Sequence, residues 1–105
     1  MNENKKYKLI LSQEAEKELK ISFEFYEERQ SGLGNDFVSE VKKTLERIVA
    51  SPEQFIKLRN RQVRKADVSR FPFGIYFADK DLIINVLAVF HSSRNPRNLR
   101  KRKII

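Results

Sequence analysis

The sequence has 105 residues, 40% of them hydrophobic and 34% charged, which is typical of one small globular domain over residues 1–105. With no Cys and one His, it excludes disulfides, thiolate zinc sites and multi-histidine sites, so we expect no metal and no cofactor. No apolar run is long enough to span a bilayer and no signal-peptide pattern follows Met1. The sequence therefore predicts a soluble, cytoplasmic protein that does not associate with a membrane.

The net charge of +8 is distributed unevenly along the chain. Residues 1–56 contain nine Lys/Arg and eleven Asp/Glu, a net charge of −2, whereas residues 57–105 contain thirteen Lys/Arg and three acids, a net charge of +10. A folded protein must present such an excess as a basic face or tail, which attracts phosphates or an acidic protein. The alternative is a surface charge that serves only solubility.

The first half of the sequence predicts one strand and two helices. Residues 7–11 are rich in strand formers, and Ser12 is a good N-cap for a helix that follows. Apolar residues then recur at helical spacing until Gly32, and again from Phe37 until Pro52, which ends the second helix. Because the connection between the two helices is short, we expect them to pack as an antiparallel hairpin.

The second half predicts three strands. Residues 57–62 have little periodicity and indicate a loop, and strands follow over residues 63–68, 73–77 and 82–90, with a turn at 79–81. The last strand is almost wholly apolar, as expected of a central strand covered on both faces, and its even-numbered residues are the predicted core face. The order of elements indicates an α+β fold in which an N-terminal strand and a helical hairpin pack with a small antiparallel sheet.

The segment that follows the last strand carries the most reactive side chains. It presents His91, Arg94 and Arg97, and residues 92–105 are predicted to form a basic tail or a short helix. An imidazole can transfer a proton near neutral pH and an arginine can stabilise a phosphate transition state, which suits cleavage of RNA without a metal. The alternative is structural: His91 caps the strand end, and Arg94 pairs with an acidic residue of a helix.

Six short motifs occur in order over nearly the whole chain. They are Ser12-x-x-Ala15-x-x-x-Leu19, Tyr26-Glu27-Glu28, Gly32-Leu33-Gly34-x-x-Phe37-x-x-x-Val41, Ser51-Pro52, Phe71-Pro72-Phe73-x-Ile75-Tyr76-Phe77 and Val89-Phe90-His91-x-x-Arg94-x-Pro96. In this order and spacing they resemble the RelE/ParE superfamily of toxins from bacterial type II toxin–antitoxin systems, which include plasmid-stabilisation systems. The resemblance implies a helical hairpin packed on a small antiparallel sheet, and a cognate antitoxin as partner.

The resemblance implies two alternative activities. RelE-like members cut messenger RNA on the ribosome with basic residues of the sheet, whereas ParE-like members poison DNA gyrase and lack that set. Lys65 matches one of the basic positions, but Asp67 and Gly74 stand where a Lys and an Arg would be needed. The sequence is therefore more similar to the ParE branch and predicts a non-catalytic gyrase poison. The alternative is a metal-independent, ribosome-dependent endoribonuclease that uses Lys65, His91 and Arg94.

The predicted binding surface for the target or the antitoxin consists of basic residues from the second half of the chain. They are Arg61, Arg64, Lys65, Arg70, Arg94, Arg97 and Arg100. We expect an acidic or amphipathic antitoxin segment to cross the sheet and the helical hairpin and to cover part of this surface. Complementary charge would make the association fast and sensitive to salt.

Overall fold

The computed structural model describes residues 6–58 and 62–102. Its elements are β1 (Lys8–Leu11), α1 (Gln13–Arg29), α2 (Leu33–Ala50), the 3₁₀ turn η1 (Pro52–Gln54), β2 (Ile56–Lys57), β3 (Arg64–Asp67), β4 (Phe73–Lys80), β5 (Ile83–His91) and the 3₁₀ helix η2 (Pro96–Lys101). The predicted α+β fold is confirmed. None of the helices in these two ranges is long and apolar enough to cross a membrane.

The strands of the described residues form one sheet in the order β1-β5-β4-β3-β2. Strands β3 to β5 are antiparallel neighbours, as predicted, and the short strand β2 adds a further antiparallel neighbour to β3, whereas β1 lies parallel to β5, with Leu11 opposite Val86. Parallel strands need a long connection between them, and the helical hairpin, which follows β1 in the chain, provides the length for β1 to lie parallel to β5. The sheet is therefore mixed, with its one parallel pair at the β1 edge.

Helices α1 and α2 form the predicted hairpin. Ser12 is the N-cap of α1, and its Oγ accepts a hydrogen bond from the Ala15 N–H at 3.0 Å. At the connection, the Glu27 carboxylate accepts hydrogen bonds from the backbone N–H groups of Gly32 at 2.9 Å and Gly34 at 3.0 Å. A carboxylate of α1 thereby satisfies donors at the start of α2, which have no partner within their own helix.

The core between the hairpin and the sheet is built around aromatic rings. Phe37 of α2 is fully buried, and its ring centroid lies 4.8 Å from that of Phe73 and 5.3 Å from those of Tyr26 and Phe71. Aliphatic residues of the helices and the sheet pack around these rings: Ala15, Val41, Ile48, Ile75, Ile84, Val86 and Val89. The rings of Tyr26 and Phe37 therefore pack within this core, in contacts that favour edge-to-face geometry, whereas Phe25 of α1 is 48% exposed.

The opposite face of the sheet, here called the second face, carries another apolar cluster. Its buried members are Val63, Tyr76, Leu87, Ala88, Phe90 and Leu99. Leu99 belongs to η2, so part of the segment predicted as a tail or short helix packs across this face. Strands β4 and β5 are consequently buried on both faces, as expected from the long apolar run of the last strand.

Strand β5 contains a β-bulge. Tyr76 pairs with Ala88, but the next residue of β4, Phe77, pairs with Val86. Leu87 therefore has no partner of its own on β4 and is the extra residue of β5. A bulge of this kind interrupts the alternation of side chains along a strand, because two residues of one strand oppose one residue of the other.

The bulge makes the predicted core face of β5 wrong in its second half. Ile84 and Val86, before the bulge, face the helices, as the prediction of an even-numbered core face requires. After the bulge Val89 takes the helix side, whereas Ala88 and Phe90 join the second face. Simple alternation would have given the opposite arrangement beyond Leu87.

Two boundaries also differ from the prediction. Asp79 and Lys80 extend β4, and the turn is the two-residue pair Asp81–Leu82, with φ values of 52° and 63°. Two-residue turns with positive φ match the twist of a hairpin, and this tight geometry replaces the longer turn predicted at 79–81. Residues Ile56–Lys57 form a short strand at the start of the predicted loop, of which residues 59–61 lie outside the described residues.

Candidate functional site

The two adjacent basic residues of β3 lie on opposite faces of the sheet. Arg64 is opposite Phe77 on the helix side, where its Nε donates to Asp79 Oδ1 at 3.2 Å and its Nη1 donates to the Phe55 carbonyl at 2.7 Å. Lys65 is on the second face, with its Nζ 5.9 Å from the ring centroid of Tyr76. The guanidinium of Arg64 is occupied by contacts within the fold, whereas 35% of the Lys65 side chain is exposed.

Because Gly74 has no side chain, the Lys65 side chain can lie directly over the backbone of β4. A Cβ at Gly74 would lie only 2.8 Å from Lys65 Cε and 3.5 Å from the Tyr76 ring. Beyond this crossing, Lys65 Nζ lies 3.5 Å from Oδ1 of Asp67, whose side chain is largely exposed. The glycine that stands where a RelE-like nuclease would have a basic residue thus lets a lysine from the neighbouring strand cover that position.

His91, the last residue of β5, faces the helix side of the sheet. It is opposite Phe73, with the two ring centroids 5.3 Å apart. The backbone N–H of Ser93 donates to His91 Nδ1 at 3.1 Å, and Ser93 Oγ lies 2.9 Å from the same atom. These contacts agree with a structural role at the strand end. Of the residues of the nuclease alternative, the structure brings His91 and Arg94 together at one groove, whereas Lys65 lies on the opposite face of the sheet.

Arg94 belongs to a cluster centred on Glu18 of α1, here called the Glu18 cluster. Glu18 Oε2 accepts hydrogen bonds from Arg94 at 3.2 Å and Arg102 at 2.6 Å, and Oε1 accepts from Arg102 at 3.0 Å and from the Val89 N–H at 3.0 Å. Both guanidinium groups also lie over the Phe90 ring, 4.1 Å and 4.8 Å from its centroid. The cluster therefore holds two positive charges against one negative charge, with cation–π contacts on a buried ring.

A sequence model of the family described as "ParE toxin of type II toxin-antitoxin system, parDE" matches residues 9–96. The chain belongs to the ParE toxin family. A solved structure described as a chromosomal ParDE toxin–antitoxin system from P. aeruginosa superposes with a TM-score of 0.72 and 17% sequence identity, covering 81% of this chain and 95% of that chain. No curated protein matches the chain in sequence. The resemblance to the ParE branch is thereby confirmed, and the structural match supports the same fold.

The remaining basic residues predicted to bind a partner are dispersed over this ParE-family fold. Arg70 lies between β3 and β4 with a left-handed φ of 71°, and its Nη1 is 3.3 Å from Oε2 of Glu40 in α2. Arg97 is exposed in η2, and the backbone of Arg100 belongs to the same 3₁₀ helix. Arg61 lies outside the described residues. Within those residues, no three His, Asp or Glu side chains are placed to hold a metal ion.

Two members of the Glu18 cluster were missed by sequence reasoning. Glu18 is separated from Arg102 by 84 residues, and no local pattern indicates that they meet. A weak signal was available: Glu18 is an acidic residue close to the apolar stripe of α1, and an acid partly buried by the fold needs a cationic or hydrogen-bonding partner. The partner could be any of thirteen basic residues in the second half, so the sequence alone could not identify it.

Proposed function

We propose that this ParE-family chain is the toxin of a type II toxin–antitoxin pair, which inhibits growth in the cytoplasm by poisoning DNA gyrase and is neutralised by its antitoxin. The observation that carries the proposal is the family match over residues 9–96. The departures from the ribonuclease pattern at Asp67 and Gly74 favour the gyrase-directed activity over messenger RNA cleavage. We propose that the action is non-catalytic, through binding and trapping of the cleaved-DNA complex.

The position of His91 supports a mechanism without proton transfer. A general acid or base acts within hydrogen-bond reach of the reacting group, which the other catalytic residues must also contact. His91 contacts Phe73 on the helix side, whereas Lys65 contacts Tyr76 on the second face. The two side chains could not reach one phosphodiester group without a rearrangement of the sheet.

The exposed cations of the second face are the residues that we propose contact the target. Lys65 is supported by the Tyr76 ring and Arg94 by the Phe90 ring, and 45% of the Arg94 side chain is exposed. A cation held on an aromatic ring is already oriented before binding, so less conformational entropy is lost when it meets a phosphate or a carboxylate. Arg64 is less suited because only 16% of its side chain is exposed and its guanidinium donates to Asp79 and to the Phe55 carbonyl.

The experiment that tests the proposed function is controlled expression with separate readouts of DNA integrity and translation. We expect filamentation and induction of the DNA-damage response, with messenger RNA intact, and accumulation of cleaved DNA when purified protein is added to gyrase and plasmid. Co-expression of the cognate antitoxin should restore growth. Cuts within translated codons of ribosome-bound message would contradict the proposal and favour the ribonuclease.

Arg94→Ala and His91→Gln provide a matched pair of variants at the end of β5. We expect Arg94→Ala to abolish growth inhibition with only a small loss of stability, because 45% of the Arg94 side chain is exposed, a partly exposed ion pair contributes about 0–1 kcal/mol, and Arg102 still pairs with Glu18. His91→Gln should retain most of the growth inhibition. If His91 were a general acid or base, its loss would instead lower the activity by roughly 10²- to 10⁴-fold. Growth curves and thermal unfolding of both variants measure the difference.

A further inference from the structure

Two arginines share the carboxylate of Glu18, and their contacts with it differ. Arg102 contacts both carboxylate oxygens, Oε2 at 2.6 Å and Oε1 at 3.0 Å, and also donates to the Leu87 carbonyl at 2.8 Å. Only 13% of the Arg102 side chain is exposed. Arg94 makes a single contact, from Nη1 to Oε2 at 3.2 Å, and 45% of its side chain is exposed. Arg102 is therefore fixed inside the fold, whereas Arg94 is held at the surface.

The orientation of the Arg94 guanidinium is determined from two directions. Its central carbon lies 4.1 Å from the centroid of the buried Phe90 ring, and Glu18 accepts a hydrogen bond from one of its nitrogens. Within residues 6–58 and 62–102, the guanidinium forms no other hydrogen bond. A guanidinium has five N–H donors in a rigid fork, so most of the Arg94 donors remain available to an anionic group of a partner.

Glu18 is itself held by contacts that do not involve Arg94. Its two oxygens accept the two hydrogen bonds from Arg102 and one from the Val89 N–H at 3.0 Å. A carboxylate has about four acceptor sites, and the contact with Arg94 uses the last of them. The Glu18 carboxylate therefore keeps its place while Arg94 meets a partner, as a fixed support for a binding side chain must.

We propose that Glu18 is a positioning residue of the toxin, which holds Arg94 over the Phe90 ring in the orientation in which Arg94 contacts an anionic group of the target. The proposal rests on the proposed function and adds a residue of α1 that acts through Arg94. Only 13% of the Glu18 side chain is exposed, so the target has little access to the carboxylate itself. An arginine that is oriented in advance loses less conformational entropy on binding.

The sign of the effect distinguishes positioning from simple electrostatics. Glu18→Gln removes a negative charge beside Arg94, so a purely electrostatic effect would strengthen the binding of an anionic group. The amide oxygen of glutamine can still accept from the Val89 N–H, but Arg94 loses its charged acceptor. Weaker binding of the target by this variant therefore reports the loss of orientation.

Glu18→Gln and Glu40→Gln form the matched test, with purified gyrase as the probe. Both carboxylates lie on helices with 13% and 10% of their side chains exposed, and each contacts an exposed arginine, which for Glu40 is Arg70. Arg70 contacts α2 and is outside the exposed cations of the second face. We expect Glu18→Gln to weaken binding by about 3- to 10-fold, as for one long side chain that is no longer ordered, and Glu40→Gln by less than about twofold. Surface plasmon resonance measures the affinities, and thermal unfolding checks that both variants are folded.

The double variant with Arg94→Ala separates positioning from a general loss of stability. Arg94→Ala alone should weaken binding of gyrase by about 30-fold, as for the loss of a central arginine. Without Arg94, Glu18 has no target contact to orient, so addition of Glu18→Gln should weaken binding by less than a further twofold or so. An equal loss from Glu18→Gln in both backgrounds, or from Glu40→Gln and Glu18→Gln alike, would overturn the positioning role.

Nitrogen-15 relaxation of the Arg94 Nε–Hε group gives a readout that does not depend on gyrase. We expect this group to be ordered in the wild type and in Glu40→Gln, and to become mobile in Glu18→Gln. Unchanged order of Arg94 in Glu18→Gln, or tighter binding of gyrase by this variant, would overturn the proposal and leave the proposed function intact. A wild type that binds no gyrase would instead overturn the proposed target, and the relaxation data would still decide whether Glu18 orders Arg94.

Discussion

The two faces of the sheet are covered in different ways. On the helix side, rings and aliphatic side chains of α1 and α2 pack on the strands, and Phe37 is the central ring of that core. On the second face, the rings of Tyr76 and Phe90 are covered in part by the stems and charged heads of Lys65, Arg94 and Arg102. One face is an ordinary apolar core, and the other is a smaller core with cations above it.

The difference follows from how much apolar surface a chain of this length can provide. A domain of about 100 residues buries a smaller fraction of its surface than a larger one, so two complete cores are difficult to build. Long cationic side chains solve this problem, because their methylene stems cover apolar surface while their heads stay in water. The second face can therefore contribute to stability and present positive charge with the same residues.

Alanine substitutions in the two cores should separate the faces most clearly. Phe37→Ala is expected to lower the free energy of unfolding by about 3–5 kcal/mol, because it opens a large cavity among rings that are held by the helices. Leu99→Ala, on the second face, should cost about 2 kcal/mol, at the low end for a buried leucine, because the short η2 can move into the space. Urea unfolding of both variants measures the two losses of unfolding free energy. Equal losses would show that η2 is packed on the second face as rigidly as the helices are packed on the other.

The two glycines Gly34 and Gly74 allow the same comparison on a smaller scale. A Cβ at Gly34 would lie 2.6 Å from the Phe23 carbonyl oxygen, so Gly34→Ala must push the two helices apart. We expect a loss of about 2–3 kcal/mol, although alanine is intrinsically the better helix former by about 1 kcal/mol. At Gly74 the obstacle is the flexible Lys65 side chain, so Gly74→Ala should change stability by less than about 1 kcal/mol.

The second readout for Gly74→Ala is growth inhibition. Displacement of Lys65 from its path over Gly74 should weaken toxicity while the protein stays folded, which is the result expected of a cation that serves binding more than stability. A Gly74→Ala variant as unstable as Gly34→Ala would show that Lys65 is fixed by the fold, and would contradict the contrast between the two faces.

The helices and the central strands could be predicted because their signals are local. The apolar residues of α1 and α2 recur at helical spacing, Ser12 is a standard N-cap, and the run that became β5 is apolar almost throughout. These patterns depend on neighbours within a few residues. The order and spacing of the motifs indicated the RelE/ParE superfamily, and Asp67 and Gly74 favoured the ParE branch, in both cases from residues that can be read directly.

The arrangement of the candidate site could not be predicted because it depends on the bulge at Leu87. Without the bulge, alternation from Val86 would place His91 on the second face with Lys65. The bulge moves His91 to the helix side, and it is visible only in the pairing of β5 with β4. The contact of Glu18 with Arg102 is likewise set by the packed fold, since 84 residues separate the two side chains.

The smallest expected effect concerns a hydroxyl group on the helix-covered face. Burial raises the pKa of Tyr26 above its ordinary value of 10.0, and the nearby Arg29 partly offsets this rise. Because the fold favours the neutral phenol, the unfolded chain loses its proton first, and Tyr26 makes stability fall as the pH rises above about 10.

Tyr26→Phe should change stability by less than about 1 kcal/mol at neutral pH, since the ring keeps its contacts. The variant should, however, lose less stability than the wild type between about pH 8 and pH 11. The two proteins differ only in this hydroxyl group, so the difference between their urea unfolding curves isolates Tyr26, and parallel pH profiles would contradict the raised pKa of Tyr26.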